Sequence, residues 1–130
     1  MFELPEIATL ARQANATIRG KTIGRAEIGR SPHKFVWYNR APEEFAALAA
    51  GCTIGVATGR GKWLFVPLET GFVLLCGEIG GRLLYHEPGA RVPDRHHLSI
   101  TFDDGSALTA VTQMWGAYEL HERGREQERQ

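Results

Sequence analysis

The chain has 130 residues, 43% of them hydrophobic, with fifteen basic and fifteen acidic side chains and a formal net charge of zero. That length suits one domain rather than two, and the apolar fraction sets it apart from disordered chains. The neutral balance argues against a domain that holds nucleic acid alone through a strong positive field. It leaves room for a half-site sharing DNA with a basic partner domain.

The first periodic stretch runs from Glu3 to Arg19, with Leu4, Ile7, Ala8, Ala11, Ala14 and Ile18 at three- and four-residue steps. One apolar face on a helix is the expected result. Glu3 and Glu6 favour the positive N-terminal end of its dipole, Pro5 is tolerated in the first turn, and Gly20 serves as the stop. A strand is predicted over Lys21–Ile28 and a short one over Lys34–Tyr38. A second helix is expected over Pro42–Ala50, with Gly51 just past its end. Strands follow near Thr53–Thr58, Lys62–Leu68, Phe72–Cys76, Arg82–His86, Leu98–Phe102 and Ala107–Val111, with a weak last one at Ala117–His121.

Glu69-Thr70-Gly71 and Asp103-Asp104-Gly105 read as hairpin turns, and the stretch from Glu87 to Pro93 as a loop. Fifteen glycines and six prolines fit so many turns. The fold class expected is α+β, mainly β: a two-layer sandwich flanked by a long N-terminal helix and a shorter second one. The last ten residues, HERGREQERQ, contain no apolar side chain. Residues 1–120 therefore read as the domain, and 121–130 as a polar linker or the start of a further module.

Cys52 and Cys76 lie in apolar runs without metal-ligand spacing, which favours buried free thiols over a disulfide. No apolar run approaches the ~18 residues of a membrane span, and the N-terminus lacks a signal pattern. A cytoplasmic protein with no membrane partner is the expectation.

The chain contains no GxSxG, P-loop or HExxH motif. Gly77-Glu78-Ile79-Gly80-Gly81 lacks a phosphate-loop lysine and reads as a glycine-rich turn. His96 and His97 are adjacent, so strand alternation would send their rings to opposite faces, which disfavours a two-histidine metal site. Gly59-Arg60-Gly61-Lys62 sets two glycines beside two cations before an apolar strand. It could approach a phosphate closely or be a solvated basic hairpin.

Five segments in order resemble the formamidopyrimidine-DNA glycosylase/endonuclease VIII family. The opening Met1-Phe2-Glu3-Leu4-Pro5-Glu6-Ile7 is similar to the family's M-P-E-L-P-E-V start, which also leads into a long helix. Gly59-Arg60-Gly61-Lys62-Trp63-Leu64 resembles its R-x-A/G-K-Y/W-L segment, and Gly77-Glu78-Ile79-Gly80-Gly81-Arg82-Leu83 its G-M-S-G-x-L loop. Asp94-Arg95-His96-His97-Leu98 resembles D-x-H-D-H-V with one residue missing. Trp115-Gly116-Ala117-Tyr118 resembles the F-G end of the D-P-R-R-F-G loop.

The resemblance implies damaged-base excision and strand cleavage at the abasic site, by a bifunctional glycosylase and lyase acting in base-excision repair on a flipped-out nucleotide. In such enzymes the N-terminal proline amine attacks the sugar C1′ and forms a Schiff base. The next glutamate handles protons and a lysine holds phosphate. By position, Glu3 matches the catalytic glutamate and Lys62 the lysine. Phe2 replaces the proline, and a bulky second residue favours retention of Met1, whose amine then starts about one residue, ~3.8 Å, away.

Glu78 stands where the family's gap-filling methionine stands, and Gln113 and Met114 stand at the two arginines. Trp115 supplies an aromatic wedge, or else is an ordinary packed ring. The DNA-binding set implied is Arg60, Lys62, Glu78, His97, Met114 and Trp115. The implied partner is double-stranded DNA with a damaged base or abasic site, bound with help from the rest of the protein's own chain near the nucleoid. No metal or cofactor is expected in these residues. The family's zinc finger would lie in a C-terminal region beyond them. Rival readings are a catalytically impaired paralogue that binds damaged or abasic DNA, and a β-sandwich protein-interaction module.

Overall fold

The computed structural model describes residues 4–28, 36–60, 63–69, 71–77, 82–92, 96–111 and 116–122. Helix α1 spans Leu4–Thr17. It buries Ala11 and Ala14, with Ile18 just beyond, the later part of the three- and four-residue stripe read from the sequence, whereas Ala8 of that stripe is exposed. Gly20 follows with φ 84°, and Gly51 ends the second helix with the same value, a left-handed conformation that a side chain would resist. That second helix, α2, spans Pro42–Ala49. Pro42 opens it, Glu43 and Glu44 occupy its first turn, and Phe45 and Ala49 face inward.

The described residues also form nine strands: β1 Ile23–Ile28, β2 Val36–Tyr38, β3 Thr58–Arg60, β4 Trp63–Leu68, β5 Phe72–Gly77, β6 Arg82–His86, β7 Leu98–Phe102, β8 Ala107–Val111 and β9 Gly116–Glu122. They form a four-stranded sheet ordered β1-β7-β8-β6 and a five-stranded sheet ordered β2-β9-β5-β4-β3. All pairs are antiparallel except β2 with β9. Alternate residues of both sheets meet in one core. Leu64, Val66, Leu68, Leu74, Cys76, Tyr118 and Leu120 come from one sheet, and Ala26, Ile28, Leu98, Ile100, Leu108 and Ala110 from the other. Helix α2 packs against β1, and α1 against β3 and β4.

Two expectations need correction. Thr53–Thr58 is not a strand. Thr53 and Ile54 make only isolated bridges, to Thr22 and Leu68, and β3 begins at Thr58. The backbone here is divided between two neighbours. Ile54 O accepts from Gly20 N and Ile54 N donates to Lys21 O, while Gly55 N donates to Pro67 O. The last strand is also not weak. β9 has seven residues, lies between β2 and β5, and is buried over its first five. It includes His121 and Glu122, so the sheet continues past residue 120. His121 pairs with Val73 and its Nε2 lies 2.9 Å from Glu119 Oε1. His96 and His97 are both buried.

β6 and β7 both run antiparallel to β8, so the connection between them must return along the length of the sheet. Ala107 and Thr109 point away from the core yet are buried, and His86 Nε2 shares a 2.7 Å hydrogen bond with Thr109 Oγ1. At the other end of this connection, His96 Nε2 lies 3.5 Å from Glu27 Oε1 of β1. On the far face of the larger sheet, Phe65, Val73 and Leu75 form a second small cluster with Trp63 against it.

Candidate nucleic-acid interface

Strand pairing brings the segments singled out in the sequence to one end of the sandwich. In the five-stranded sheet Arg60 pairs with Trp63, Trp63 with Gly77, and Gly77 with Ala117, while Val36 pairs with Gly116. Arg60, Trp63, Gly77 and Ala117 form one row across the sheet, and Val36 and Gly116 lie one position beyond it. In the smaller sheet Arg82 pairs with Val111, next to the row formed by Ile28, Leu98 and Ala110. Only four residues separate Gly77 from Arg82, and four separate Val111 from Gly116. Such short connections hold the corresponding ends of the two sheets together.

Helix α1 is aimed at the same end. Gly20 N donates to Ile54 O at 2.8 Å, whereas Asn15, further back along the helix, bonds Ala57. The helix thus runs antiparallel to residues 54–60, and its Leu4 end points toward Arg60. Asn15 and Ala57 make two bonds: Asn15 Nδ2 donates to Ala57 O at 3.0 Å, and Ala57 N donates to Asn15 Oδ1 at 2.7 Å.

Arg60 is exposed, and its guanidinium carbon sits 4.6 Å from the centroid of the Phe65 ring. That stacking steers the cation without neutralising it. Trp63 lies across Gly77 so closely that a Cβ on Gly77 would fall 2.5 Å from ring atoms Cε3 and Cζ3. Only glycine fits beneath this ring. Cys76, one residue earlier, faces the core, and burial pushes its thiol up to about 12. It is therefore not a nucleophile at neutral pH.

His97 does not fit the DNA-contact role that the resemblance implied. Its side chain is 0% exposed. Its backbone N donates to Ala110 O at 2.8 Å, and its carbonyl accepts from the Tyr38 hydroxyl at 2.8 Å. A ring so enclosed is part of the packing at this end of the sandwich. Met1, Phe2, Glu3, Lys62, Glu78, Met114 and Trp115 lie outside the described residues, as does Gln113.

Among the described residues no group of three or more His, Cys, Asp or Glu side chains could hold a metal ion. No helix among them is long and apolar enough to cross a membrane. Asn15 and the Trp63–Gly77 contact were not singled out from the sequence, although each leaves a trace there. An asparagine inside a helix invites a tertiary partner, and a glycine inside a strand pattern often marks a close approach.

A model of the formamidopyrimidine-DNA glycosylase N-terminal domain matches residues 1–114. The chain belongs to that family. It is 36% identical over 112 residues to the formamidopyrimidine-DNA glycosylase of Chloroflexus aggregans, covering 83% of this chain and 38% of the relative. It is 35% identical over 132 residues to that of a Nocardioides species, covering 95% and 43%. The chain thus spans less than half the length of these curated relatives.

Among solved structures, the Lactococcus lactis enzyme in complex with DNA containing Fapy-dG superposes with a TM-score of 0.81 and 25% identity, over 98% of this chain and 47% of that one. A complex of the same enzyme with abasic-site DNA gives 0.82. The two-sheet, two-helix architecture is that of the family's N-terminal domain.

Proposed function

We propose that this domain is the lesion-facing half of a DNA repair protein, which binds double-stranded DNA at damaged bases or abasic sites together with the rest of its chain. The observation that carries the reading is the family match over residues 1–114. The convergence of β3, β4, β5 and β9 ends on one edge supports it, because the segments resembling the family's DNA-contacting loops adjoin those ends. So does the availability of related solved structures in which the protein is bound to abasic or Fapy-dG DNA.

In this reading Glu3 and Lys62 are the proton-handling and phosphate-holding groups, and Arg60 adds a second phosphate contact. Glu78, Met114 and Trp115 stand on the segments that meet the flipped nucleotide's gap. Phe2 takes the nucleophile's position, with the Met1 amine as the nearest primary amine. Base excision and lyase chemistry are impaired accordingly, because near-attack geometry is lost. A carboxylate at Glu78 is a poor filler for a base stack beside phosphates, which further separates this chain from its relatives. Residues 1–120, extended by the end of β9, act as the domain. A zinc finger would have to come from outside these 130 residues, which contain only two cysteines.

The reading is tested by titrating the full-length protein against an abasic-analogue duplex and an undamaged duplex over a salt series. Preference for the abasic duplex is expected. Lys62→Ala should weaken binding to both and reduce the salt slope by about one. Equal, salt-insensitive affinities would remove the DNA role and favour a protein-interaction module.

A further inference from the structure

Two segments singled out for DNA contact are joined by described residues. Trp63 is the first residue of β4, immediately after Lys62, and Gly77 is the last residue of β5, immediately before Glu78. The two pair directly in the antiparallel ladder, and the indole lies against the Gly77 backbone closely enough to exclude any Cβ. The ring also packs with Phe65, Val73 and Leu75, three buried side chains on the same face of the sheet. Arg60 completes the row, opposite Trp63 and over Phe65. The ring is therefore held from beneath and from one side. Any tilt of the end of β5 must move it, and any shift at the start of β4 must move Gly77.

We propose that Trp63 and Gly77 form a positioning pair that fixes the start of β4 and the end of β5 relative to each other, and that the protein's preference for damaged DNA depends on this coupling. The inference rests on the DNA-binding reading above for its purpose, and on packing alone for its existence. Neither residue needs to touch DNA. A displacement of about 1 Å at a binding site is enough to cost much of its selectivity, which makes rigid coupling of two loop bases worth a buried ring.

The test uses the full-length protein and the variants Gly77→Ala, Trp63→Ala, Trp63→Phe and the double variant Trp63→Ala/Gly77→Ala. Two quantities are measured for each: the affinity ratio for abasic-analogue over undamaged duplex, and amide hydrogen exchange at residues 60–64 and 74–78. Thermal melts identify variants that fail to fold. Gly77→Ala and Trp63→Ala should each lower the ratio about tenfold, with the double variant no worse than either, because contacting residues are non-additive. Trp63→Phe keeps a six-membered ring over the glycine and should keep most of the ratio. Gly77→Ala, made in β5, should also speed exchange at residues 60–64.

Ratios unchanged in folded variants, or additive losses in the double variant, would overturn the proposal. If the parent protein shows no preference for abasic DNA, the DNA reading fails and exchange decides the pair. Faster exchange in both segments on Gly77→Ala sustains the coupling, and an effect confined to residues 74–78 refutes it.

Discussion

Asn15 and Ala57 are joined by two hydrogen bonds, side-chain amide to backbone carbonyl and backbone amide to side-chain oxygen, across 42 residues of chain. The pair aligns α1 with the approach to β3 and turns the Leu4 end of the helix toward Arg60. Asn15 is partly buried, so neither bond is easily replaced by water. Asn15→Leu leaves the Ala57 amide and carbonyl without these partners, and should cost about 1–3 kcal/mol in urea denaturation. Asn15→Asp loses only the donor and should fall between the two. A loss below ~0.5 kcal/mol for Asn15→Leu would show that the clasp is incidental.

The acid limb of stability has an assigned contributor. Lys21 and Asp104 form an ion pair at the end of the sandwich opposite the proposed interface. The Lys21 ammonium, followed by the hydroxyl and backbone N–H of Ser106, holds the Asp104 carboxyl down at about 2, against an ordinary value of 3.8. A depressed carboxyl stabilises the fold fully above its unfolded value, and that contribution is lost as pH falls through the folded one. Asp104→Asn should therefore flatten the fall in melting temperature between about pH 4 and pH 2, and leave little difference between the proteins below it. The group is exposed, so the effect should shrink in high salt. Parallel acid limbs for the two proteins would contradict the assignment.

At the alkaline end the sign reverses. Cys76 is 1% exposed, and burial raises its thiol from 9.0 to about 12. The unfolded chain ionises first, so stability should decline between about pH 9 and 12, and Cys76→Val should remove part of the decline. The same burial predicts kinetics. A thiol reagent at pH 8 should modify Cys76 at the rate of unfolding rather than at a free-thiol rate, and Cys52, equally buried, should behave alike. Prompt modification of the native protein would mean that the sandwich opens locally at β5.

The parts of this fold legible in the sequence are those in which one residue's neighbours along the chain decide its fate. Ala11, Ala14 and Ile18 announce a helix face, Gly20 and Gly51 announce stops, and β4 to β8 announce themselves by apolar strands between turns. Residues 53–58 look like another strand because their composition suits one. Their backbone is instead committed to Lys21, Gly20 and Pro67, which lie far away in the chain.

β9 looked weak because Glu119 and His121 interrupt its apolar character. They are accommodated because they pair with each other on a covered face. The resemblance makes His97 a DNA contact, and its burial is a property of the folded domain that no local pattern in the sequence encodes. The convergence of the glycine-rich segments depends on strand order, including a parallel β2–β9 pair that no local pattern encodes.

The measurement that bears most directly on the account is borohydride trapping of an abasic-site duplex by the full-length protein. The unmodified protein, with Phe2 in the nucleophile's position, is compared with Phe2→Pro in which mass spectrometry confirms removal of Met1. On the proposed reading, a secondary amine at the chain start supplies the reacting nitrogen, and Glu3 and Lys62 are unchanged in the variant's sequence. The account predicts a borohydride-stable adduct with the variant and little or none with the unmodified protein on the same timescale. Adduct formation by the unmodified protein as fast as by the variant would contradict it, because Met1 would then serve as nucleophile without the proline.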